Sequence, residues 1–473
     1  MSQIQIKNIN LGGIADSDYM GGQNSVAECV GLDIHGEAGI IKLNQKLSKN
    51  SGSVVDEFCK ARVACSNGST YFFGASGGIF ERESNGTWTD RGTTAPAAGT
   101  AGVMSAWEYQ GYIYYAMQSR LGRIATPAAG GSWAGRSDSW ATFTNTDASF
   151  HPMFEVNQVL YIGDAHFVAQ VDAGVFSANA LDLKTGLRIK SLGNIDTDLL
   201  VGTYVADNVM RSEIIRWNTW SVSYSVSDPI PEIGINAFLD TDNMVIVSAG
   251  TKGNLYVYDG VKLEFFKNIK GSWGSTNKAT VHPQATFNFN GMPLFGLSQV
   301  TGTGVNLGVY SLASTSRGYP MVLNLEYKIS EAVLTGIEIG AIVAISADQF
   351  LVSWKNGSAY GVDVLDLTAK QASGYFVLRN ILIDREKKSN YGAVYVPYRT
   401  LPASTDIKVY HEKNHAGSYT QFDASTEMIT DTERLMRYSK IDVGEASVCT
   451  IKVELTPNGD DSPEVEMMIM DVT

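Results

Sequence analysis

Short hairpins recur along most of this chain, and they constrain its fold more than any other feature. The stretch RVACSNGSTYFFGA consists of a strand, an Asn-Gly turn and a second strand. Asn-Gly between alternating apolar residues is a strong hairpin signal. The same arrangement recurs in IFERESNGTWTDRG, NLYVYDGVKLEFF and FLVSWKNGSAYGVDVLD. The sequence therefore predicts a protein built from many short antiparallel strands.

The hairpin segments recur about every 40–55 residues, which is the length of a four-stranded propeller blade. Closure into a ring shortens and shields strand edges that an open sheet would expose. Seven blades are predicted, with six as the alternative. The blades are expected to begin near Arg62, Val103, Phe150, Asp198, Ile235, Val281 and Leu334.

The spacing of the predicted β segments changes after residue 384, so the propeller is predicted to span residues 51–384. Beyond the charged run REKKSN, six β segments of regular length continue to residue 473. This pattern predicts a small β-sandwich over residues 385–473. Residues 1–50 are predicted to form an N-terminal arm or to supply a strand that closes the propeller. The predicted fold class is all-β, a β-propeller followed by a small C-terminal β-sandwich.

Composition narrows the functional classes. The formal net charge is −13, and a surface of that sign argues against a broad basic face for nucleic acid. The four cysteines (Cys29, Cys59, Cys65 and Cys449) form no CxxC motif. Cys59 and Cys65 could pair, but buried free thiols are expected. The sequence begins without a signal-peptide pattern and has no run of about 18 apolar residues. We therefore expect synthesis in a reducing cytoplasm and no membrane span.

The pentapeptide HEKNH (His411 to His415) matches H-E-x-x-H, the signature of zinc metalloproteases. That site requires a helix, because helical spacing places both imidazoles on one face. The preceding Ile407 to Tyr410 alternates like a strand, and the following Asn-His-Ala-Gly is typical of a turn. In a strand the two histidines lie about 13 Å apart and cannot share one metal. The segment is therefore predicted to form a hairpin tip, and the sequence predicts no catalytic residues, no metal site and no cofactor.

Two His-Pro pairs stand at similar places in blades about three apart, at His151-Pro152 and His282-Pro283. One interpretation makes these histidines ligands that face a central channel. The favoured interpretation is a turn at the entry of a strand, where proline is well tolerated.

The C-terminal region carries a resemblance to a known family. DIKVYHEKNHAGSYTQF is similar to a hairpin with a G-S-W/Y-T turn, and TIKVELTPNGDDSPEVEMMIMDV is similar to a closing strand pair. Both resemble β modules of tail-hub or nozzle proteins of short-tailed bacteriophages, also called packaged-DNA-stabilisation proteins. This resemblance implies a non-enzymatic structural protein of the virion, assembled in the host cytoplasm as a ring of about six copies. It implies contacts with an adaptor or portal on one side and with fibres or a tail tip on the other. An acidic channel would let DNA pass without specific binding.

The alternative function is a carbohydrate-binding or host-surface-binding propeller, an adhesin. Exposed aromatic rings stack on sugars, whereas buried ones fill the space between blades. The aromatic residues considered for this role are Tyr112, Tyr114, Tyr115, Trp133 and Trp140.

Overall fold

The protein folds into two compact units whose segments alternate along the chain. The computed structural model describes residues 2–9, 11–18, 24–37, 39–94, 102–205, 211–241, 244–299, 307–315, 321–331, 336–382, 388–399, 401–422, 435–438 and 444–472. The propeller unit consists of residues 48–308 and 329–364, and the sandwich unit of residues 1–47, 309–328 and 365–473. The predicted boundaries at residues 50 and 384 differ from this division, because residues 309–328 and 365–384 belong with the sandwich unit.

The chain begins with five strands. They are β1 (Ser2–Lys7), β2 (Val26–Val30), β3 (Leu32–Asp33), β4 (Lys42–Leu43) and β5 (Gln45–Lys49).

Five four-stranded antiparallel sheets follow in the propeller unit. The first contains β6 (Cys59–Ala64), β7 (Thr70–Gly74), β8 (Gly78–Arg82) and β9 (Trp88–Thr93). The second contains β10 (Ser105–Tyr109), β11 (Tyr112–Met117), β12 (Arg120–Ala125) and β13 (Ser137–Thr142). The third contains β14 (Met153–Val156), β15 (Val159–Asp164), β16 (Phe167–Asp172) and β17 (Val175–Asp182). The fourth contains β18 (Leu187–Ile195), β19 (Asp198–Val205), β20 (Ser212–Trp217) and β21 (Val226–Ile230). The fifth contains β22 (Ile235–Thr241), β23 (Met244–Ala249), β24 (Asn254–Tyr258) and β25 (Leu263–Asn268).

Two further sheets complete the propeller unit. The sixth contains β26 (Ala279–Thr280), β27 (Thr286–Phe289) and β28 (Met292–Gln299). The next two strands, apart from Gly308, belong to the sandwich unit; they are β29 (Gly308–Ala313) and β30 (Val322–Tyr327). The seventh sheet contains β31 (Ile337–Ala344), β32 (Phe350–Asn356) and β33 (Ala359–Lys370), and β5 is its outer strand.

The remaining strands lie in the sandwich unit. They are β34 (Gly374–Leu378), β35 (Ser389–Pro397), β36 (Asp406–Lys413), β37 (Thr420–Gln421), β38 (Leu435–Tyr438), β39 (Gly444–Ala446), β40 (Cys449–Thr456) and β41 (Met467–Val472).

The inner strands of the seven sheets form a closed ring. Contacts run from β6 to β10, β14, β18, β22, β27 and β31 in turn, and β31 contacts β6 again. The prediction of a seven-bladed propeller is therefore confirmed for the described part of the chain. One predicted blade start among the described residues is wrong: Asp198 begins β19, the second strand of the fourth blade, and that blade begins at Leu187. The predicted start at Leu334 lies outside the described residues. The apolar run after Asp198 is a buried middle strand, which a sequence pattern does not distinguish from an inner strand.

Apolar clusters between neighbouring blades stabilise this ring. Tyr71 and Phe73 of the first blade pack with Tyr115 of the second and with Trp133, whose ring lies 5.1 Å from that of Tyr71. Similar clusters join the second blade to the third, the third to the fourth, the fourth to the fifth and the seventh to the first. Full burial of each large side chain contributes about 1.5–3 kcal/mol, so the blades depend on one another for stability.

The join between the seventh and first blades requires a glycine. A Cβ atom on Gly340 of β31 would lie 1.9 Å from the carbonyl oxygen of Cys59 in β6. No real Cβ approaches a backbone oxygen so closely, so only glycine lets these two inner strands pack at this distance.

Asn50 holds the same join at its outer side. Its backbone N–H donates to the carbonyl of Val362 in the seventh blade (2.9 Å). Its side-chain oxygen accepts hydrogen bonds from Arg82 Nε and Trp88 Nε1 of the first blade, both at 2.9 Å. β5 is thus the outer strand of the seventh sheet, and Asn50, which follows it, ties that strand to the first blade.

The predicted hairpin turns are confirmed at all four sites. Gly68, Gly86, Gly260 and Gly357 each lie between two paired strands and have positive φ angles of 85°, 91°, 90° and 61°. Left-handed backbone at these turns costs glycine little, which explains why the turn signals in the sequence were reliable.

The sandwich unit contains two main sheets. One has the order β1-β41-β35-β38, with β39 also paired to β35, and the other includes the run β29-β30-β2-β34-β40-β36-β37. In β36 the buried residues are Ile407, Val409 and His411, and they alternate with half-exposed ones. β36 thus buries one face, as a strand of a two-layer sandwich does, whereas β30 is buried along its whole length. The four cysteines are free and buried, as predicted.

A buried carboxylate lies in the sandwich unit at Glu326. It accepts hydrogen bonds from Ser311 Oγ and Asn324 Nδ2, both at 2.7 Å, and from the side-chain amide of Asn44. His35 Nε2 lies 3.7 Å away. Burial raises the pKa of Glu326, because an apolar interior disfavours the charged form.

Candidate functional site

A cavity of about 250 Å³ opens at the centre of the propeller unit. Its walls come from the inner strands of the blades or from the residues just before them. The polar residues in its lining are Lys60, Arg62, Ser105, Ser149, His151, Lys190, His282, Gln284 and Thr286. The cavity is therefore built from segments far apart in sequence, which ring closure brings together.

Two lysines reach this cavity from β-bulges. In β6 the pairing with β7 shifts between Cys59 and Ala61, so Lys60 has no residue opposite it. In β18 the pairing with β19 shifts between Ile189 and Ser191, and Lys190 is the extra residue there. A bulge re-aims the side chain of its extra residue, and here it turns each lysine out of the regular alternation.

The bulge repeats in two other inner strands. Asn236 of β22 and Gly340 of β31 are the extra residues at the corresponding position. Asn236 Oδ1 accepts a hydrogen bond of 2.6 Å from Lys190 Nζ, so adjacent blades are linked bulge to bulge. The repeated bulge is thus part of the blade design, and in the first and fourth blades it brings a lysine to the cavity.

The three cations of the cavity have neutral partners. Arg62 Nε donates to the carbonyl of Ile342 (3.0 Å), and Lys60 Nζ lies 5.5 Å from the centre of the Phe58 ring. Within the described residues, no carboxylate oxygen lies within 4.0 Å of the charged nitrogens of Lys60, Arg62 or Lys190. The lining residues among them include no aspartate or glutamate. This chain of net charge −13 therefore surrounds a positively charged cavity.

Burial perturbs the titration of these groups. It lowers the pKa of Lys190 to about 8 and that of Arg62 to about 10. The pKa of His282 is lowered by burial, and the positive charges of Lys60 and Lys190 lower it further. Removal of water disfavours the charged form of a base, so the charged forms of Lys190 and Arg62 are less stable in the cavity than in water.

The two predicted His-Pro pairs both reach the cavity. Each pair precedes an inner strand, as the strand-entry interpretation predicts, and the histidine rings also line the cavity, as the channel interpretation predicts. His151 lies between two carbonyl oxygens, with Nδ1 2.7 Å from Gly163 O and Nε2 2.9 Å from Gln118 O. Its ring stacks on Phe143 at 4.1 Å. Both ring nitrogens are occupied by backbone groups, so His151 serves mainly to hold the wall.

His282 lies beside an ion pair. Glu338 Oε1 is 3.0 Å from Lys355 Nζ, and Glu338 Oε2 is 3.6 Å from His282 Nε2. Burial alone would raise the pKa of Glu338, but His282 and Lys355 lower it to about 2. The carboxylate of Glu338 is therefore paired with Lys355 and His282.

The HEKNH segment forms the predicted hairpin. His411 lies in β36 opposite Thr420 of β37, whereas Asn414 and His415 form the turn with φ angles of 48° and 56°. His411 is buried, and its ring lies 4.8 Å from that of Phe422. No group of three or more His, Cys, Asp or Glu side chains arranged to hold a metal ion is found in the described ranges.

Of the five aromatic residues considered for sugar stacking, three belong to the core. Tyr114, Tyr115 and Trp133 are buried between blades. Tyr112 and Trp140 keep some exposure and flank the guanidinium of Arg123, whose central carbon lies 4.7 Å and 4.2 Å from their ring centres.

The part of the chain that the structure describes contains no helix long and apolar enough to cross a membrane.

Comparisons with known proteins return structural similarity only. No family model and no curated protein matches the chain. The extracellular domain of the hybrid two-component system BT4673 from B. thetaiotaomicron is 13% identical (TM-score 0.46), with 80% of this chain and 45% of that chain covered. Virginiamycin B lyase from Staphylococcus aureus is 12% identical (TM-score 0.46; 69% and 99% covered). The WD40 β-propeller domain of Doa1 is 11% identical (TM-score 0.45; 68% and 96% covered). The chain spans less than half of the first of these proteins. Such similarity carries no functional information, and the protein is an all-β protein with a β-propeller on the evidence of its own sheets.

Proposed function

We propose that this protein is a structural component of a phage virion, a tail hub or nozzle or a head-to-tail connector, that assembles as a ring. It binds neighbouring virion proteins and performs no catalysis. The hairpin of β36 and β37, which carries the sequence resemblance, supports this proposal. Its turn is exposed, and Tyr419 within it is 41% exposed.

The observation that carries the proposal is a set of exposed apolar side chains, here called the outer apolar group. All of them lie on outer strands or outer turns of the third, fourth and fifth blades, and they are 56–97% exposed. The group consists of Val175, Trp220, Val222, Val261 and Phe265. Large apolar side chains that stay exposed to solvent are common at protein interaction sites. Three consecutive blades with such residues suit a subunit that packs against its neighbours.

Assembly of the purified protein tests the proposal. We expect mass photometry and negative-stain imaging to reveal a ring, and virions to contain the protein. The double variant Trp220→Ser/Val222→Ser should lose ring assembly at equal concentration, with the unfolding midpoint unchanged. Leu382→Ser is the matched control, because Leu382 is also an exposed apolar residue (40%) but lies in the sandwich unit. A persistent monomer that associates with no ring or particle would refute the proposal.

The alternative, a carbohydrate-binding adhesin, retains only Tyr112 and Trp140 of its five aromatic residues. A glycan array distinguishes the two functions: specific binding that Trp140→Ala abolishes would favour the adhesin, and an array without hits would count against it.

A further inference from the structure

The central cavity contains three cationic side chains whose hydrogen-bond and ring partners are all neutral. Lys60, Arg62 and Lys190 line it, and they contact a ring face, a backbone carbonyl and an amide oxygen respectively. A buried charge without a counter-charge is unfavourable. Lys60, Arg62 and Lys190 are partly buried, and a fold that keeps three such cations at one point normally does so for binding, because stability alone would favour neutral residues.

Aromatic side chains also line the cavity, and they are called here the aromatic wall. Trp107, Phe150, Phe154 and Phe238 line it, and Phe150 lies 5.4 Å from Lys190 Nζ. A strongly hydrated inorganic ion would gain little from such a wall. An organic molecule with one anionic end and one apolar face would contact both the cations and the aromatic rings.

The size of the cavity limits the ligand. Its volume of about 250 Å³ is below the range of about 300–1,000 Å³ that is typical of sites for drug-sized molecules. The walls come from inner strands on several sides of the ring, so a polymer would not fit lengthwise within this volume. The ligand must therefore be small.

We propose that the central cavity of the propeller binds a small organic carboxylate, with its carboxylate facing Lys60, Arg62 and Lys190 and its apolar face on the aromatic wall. This inference goes beyond the proposed virion function and does not depend on it. Arginine presents planar paired donors that suit a carboxylate, and the free guanidinium nitrogens of Arg62 are available because its bond to Ile342 uses Nε.

Binding of a carboxylate in this cavity should be accompanied by proton uptake at Lys190. Lys190 is the cavity group whose pKa, about 8, lies nearest to neutral pH. Charged and titratable groups around it include Lys60 and Arg62 on β6, His151 before β14 and His282 before β27. A carboxylate beside Lys190 stabilises its charged form, so binding at pH 8 takes up protons and affinity falls as the pH rises above 8.

Calorimetry with benzoate tests this inference in the full-length protein. We expect benzoate to bind and the neutral isostere benzamide to bind about tenfold more weakly or not at all, since charge-assisted bonds hold the ligand. Benzoate should bind better than inorganic phosphate. Titrations at pH 8 in two buffers of different ionisation enthalpy should show proton uptake.

Lys190→Met should weaken benzoate binding by about tenfold or more and remove the proton uptake. Lys252→Met, which replaces an exposed lysine, should change neither. The absence of benzoate binding, equal binding of benzamide, phosphate binding as tight as that of benzoate, or unchanged binding by Lys190→Met would each overturn the inference. The unfolding midpoint of Lys190→Met shows whether the variant is folded.

Discussion

The variant Lys190→Met should stabilise the free protein at neutral pH. Burial lowers the pKa of Lys190 from 10.5 to about 8, and a difference of 2.5 units corresponds to about 3 kcal/mol of destabilisation when the lysine is charged. Methionine retains the apolar stem and removes the charge. The variant loses the hydrogen bond to Asn236 Oδ1, which costs about 1 kcal/mol. A net gain of about 1–2 kcal/mol in the free energy of unfolding follows at pH 7.

The pH dependence gives the sharper test. The pKa of Lys190 is lower in the folded state, so its destabilising effect is complete below about pH 8. The effect diminishes as the pH rises towards 10.5, where the lysine is neutral in the folded state and half deprotonated in the unfolded state. The advantage of Lys190→Met should therefore vanish between pH 8 and 10.5, and only the loss of the hydrogen bond should remain.

Urea unfolding followed by tryptophan fluorescence at pH 7, 9 and 10.5 measures this difference. Lys252→Met should match the wild type at each pH, because Lys252 is exposed. The reasoning would be refuted by a Lys190→Met variant that is less stable than the wild type at pH 7. A stability difference that stays constant with pH would refute it equally, since it would show that the charge of Lys190 carries no penalty.

Three further predictions follow from other parts of the structure. Asn50→Ala should lower the free energy of unfolding by about 2–3 kcal/mol, because two donors of the first blade lose their acceptor. The control Asn288→Ala, whose side chain is exposed, should have little effect. Equal unfolding midpoints of the two variants in urea would contradict the role of Asn50 at the join. Glu326→Gln should be more stable than the wild type at pH 8, because the raised pKa of Glu326 in the folded state means that its charged form destabilises the fold at that pH, and the variant has no charge. The stability advantage of Glu326→Gln should shrink towards pH 4.5, and Glu326→Leu should destabilise the protein at every pH. A stability difference for Glu326→Gln that does not change with pH would argue against a buried charge. Chelation with EDTA should leave the thermal midpoint of the wild type and of His411→Asn unchanged, and a fall in the wild type alone would reveal a metal at that hairpin.

Much of the fold was predictable because its signals are local. Asn-Gly and Asp-Gly turns fix hairpins within a few residues, and alternation identifies the strands between them. The sandwich unit was less predictable, because β30 (Val322–Tyr327) pairs with β2 (Val26–Val30), which lies near the start of the chain. Nothing within residues 309–328 indicates which distant strand they join, since pairing depends on the complete fold.

The candidate site was predicted only in part. The His-Pro pairs were recognised, but Lys60, Arg62 and Lys190 were not, because in sequence they read as the polar positions of ordinary strands. A signal was nevertheless present. Each bulge has an apolar residue before it and a small, fully buried one after it, in Cys59-Lys60-Ala61, Ile189-Lys190-Ser191, Ile235-Asn236-Ala237 and Ile339-Gly340-Ala341. The repeat becomes visible only after the blades are aligned on their inner strands.

The pairing of β1 with β41 has a consequence for biosynthesis. Ser2 lies opposite Val472, so β1 leaves the ribosome long before its partner β41. At about 5–20 residues per second, β1 waits roughly 25–90 seconds for its partner. During that interval its backbone donors and acceptors are open to other chains, and many nascent copies on neighbouring ribosomes present the same edge. Synthesis rate and chaperone supply should therefore limit the yield of this protein more than its final stability does.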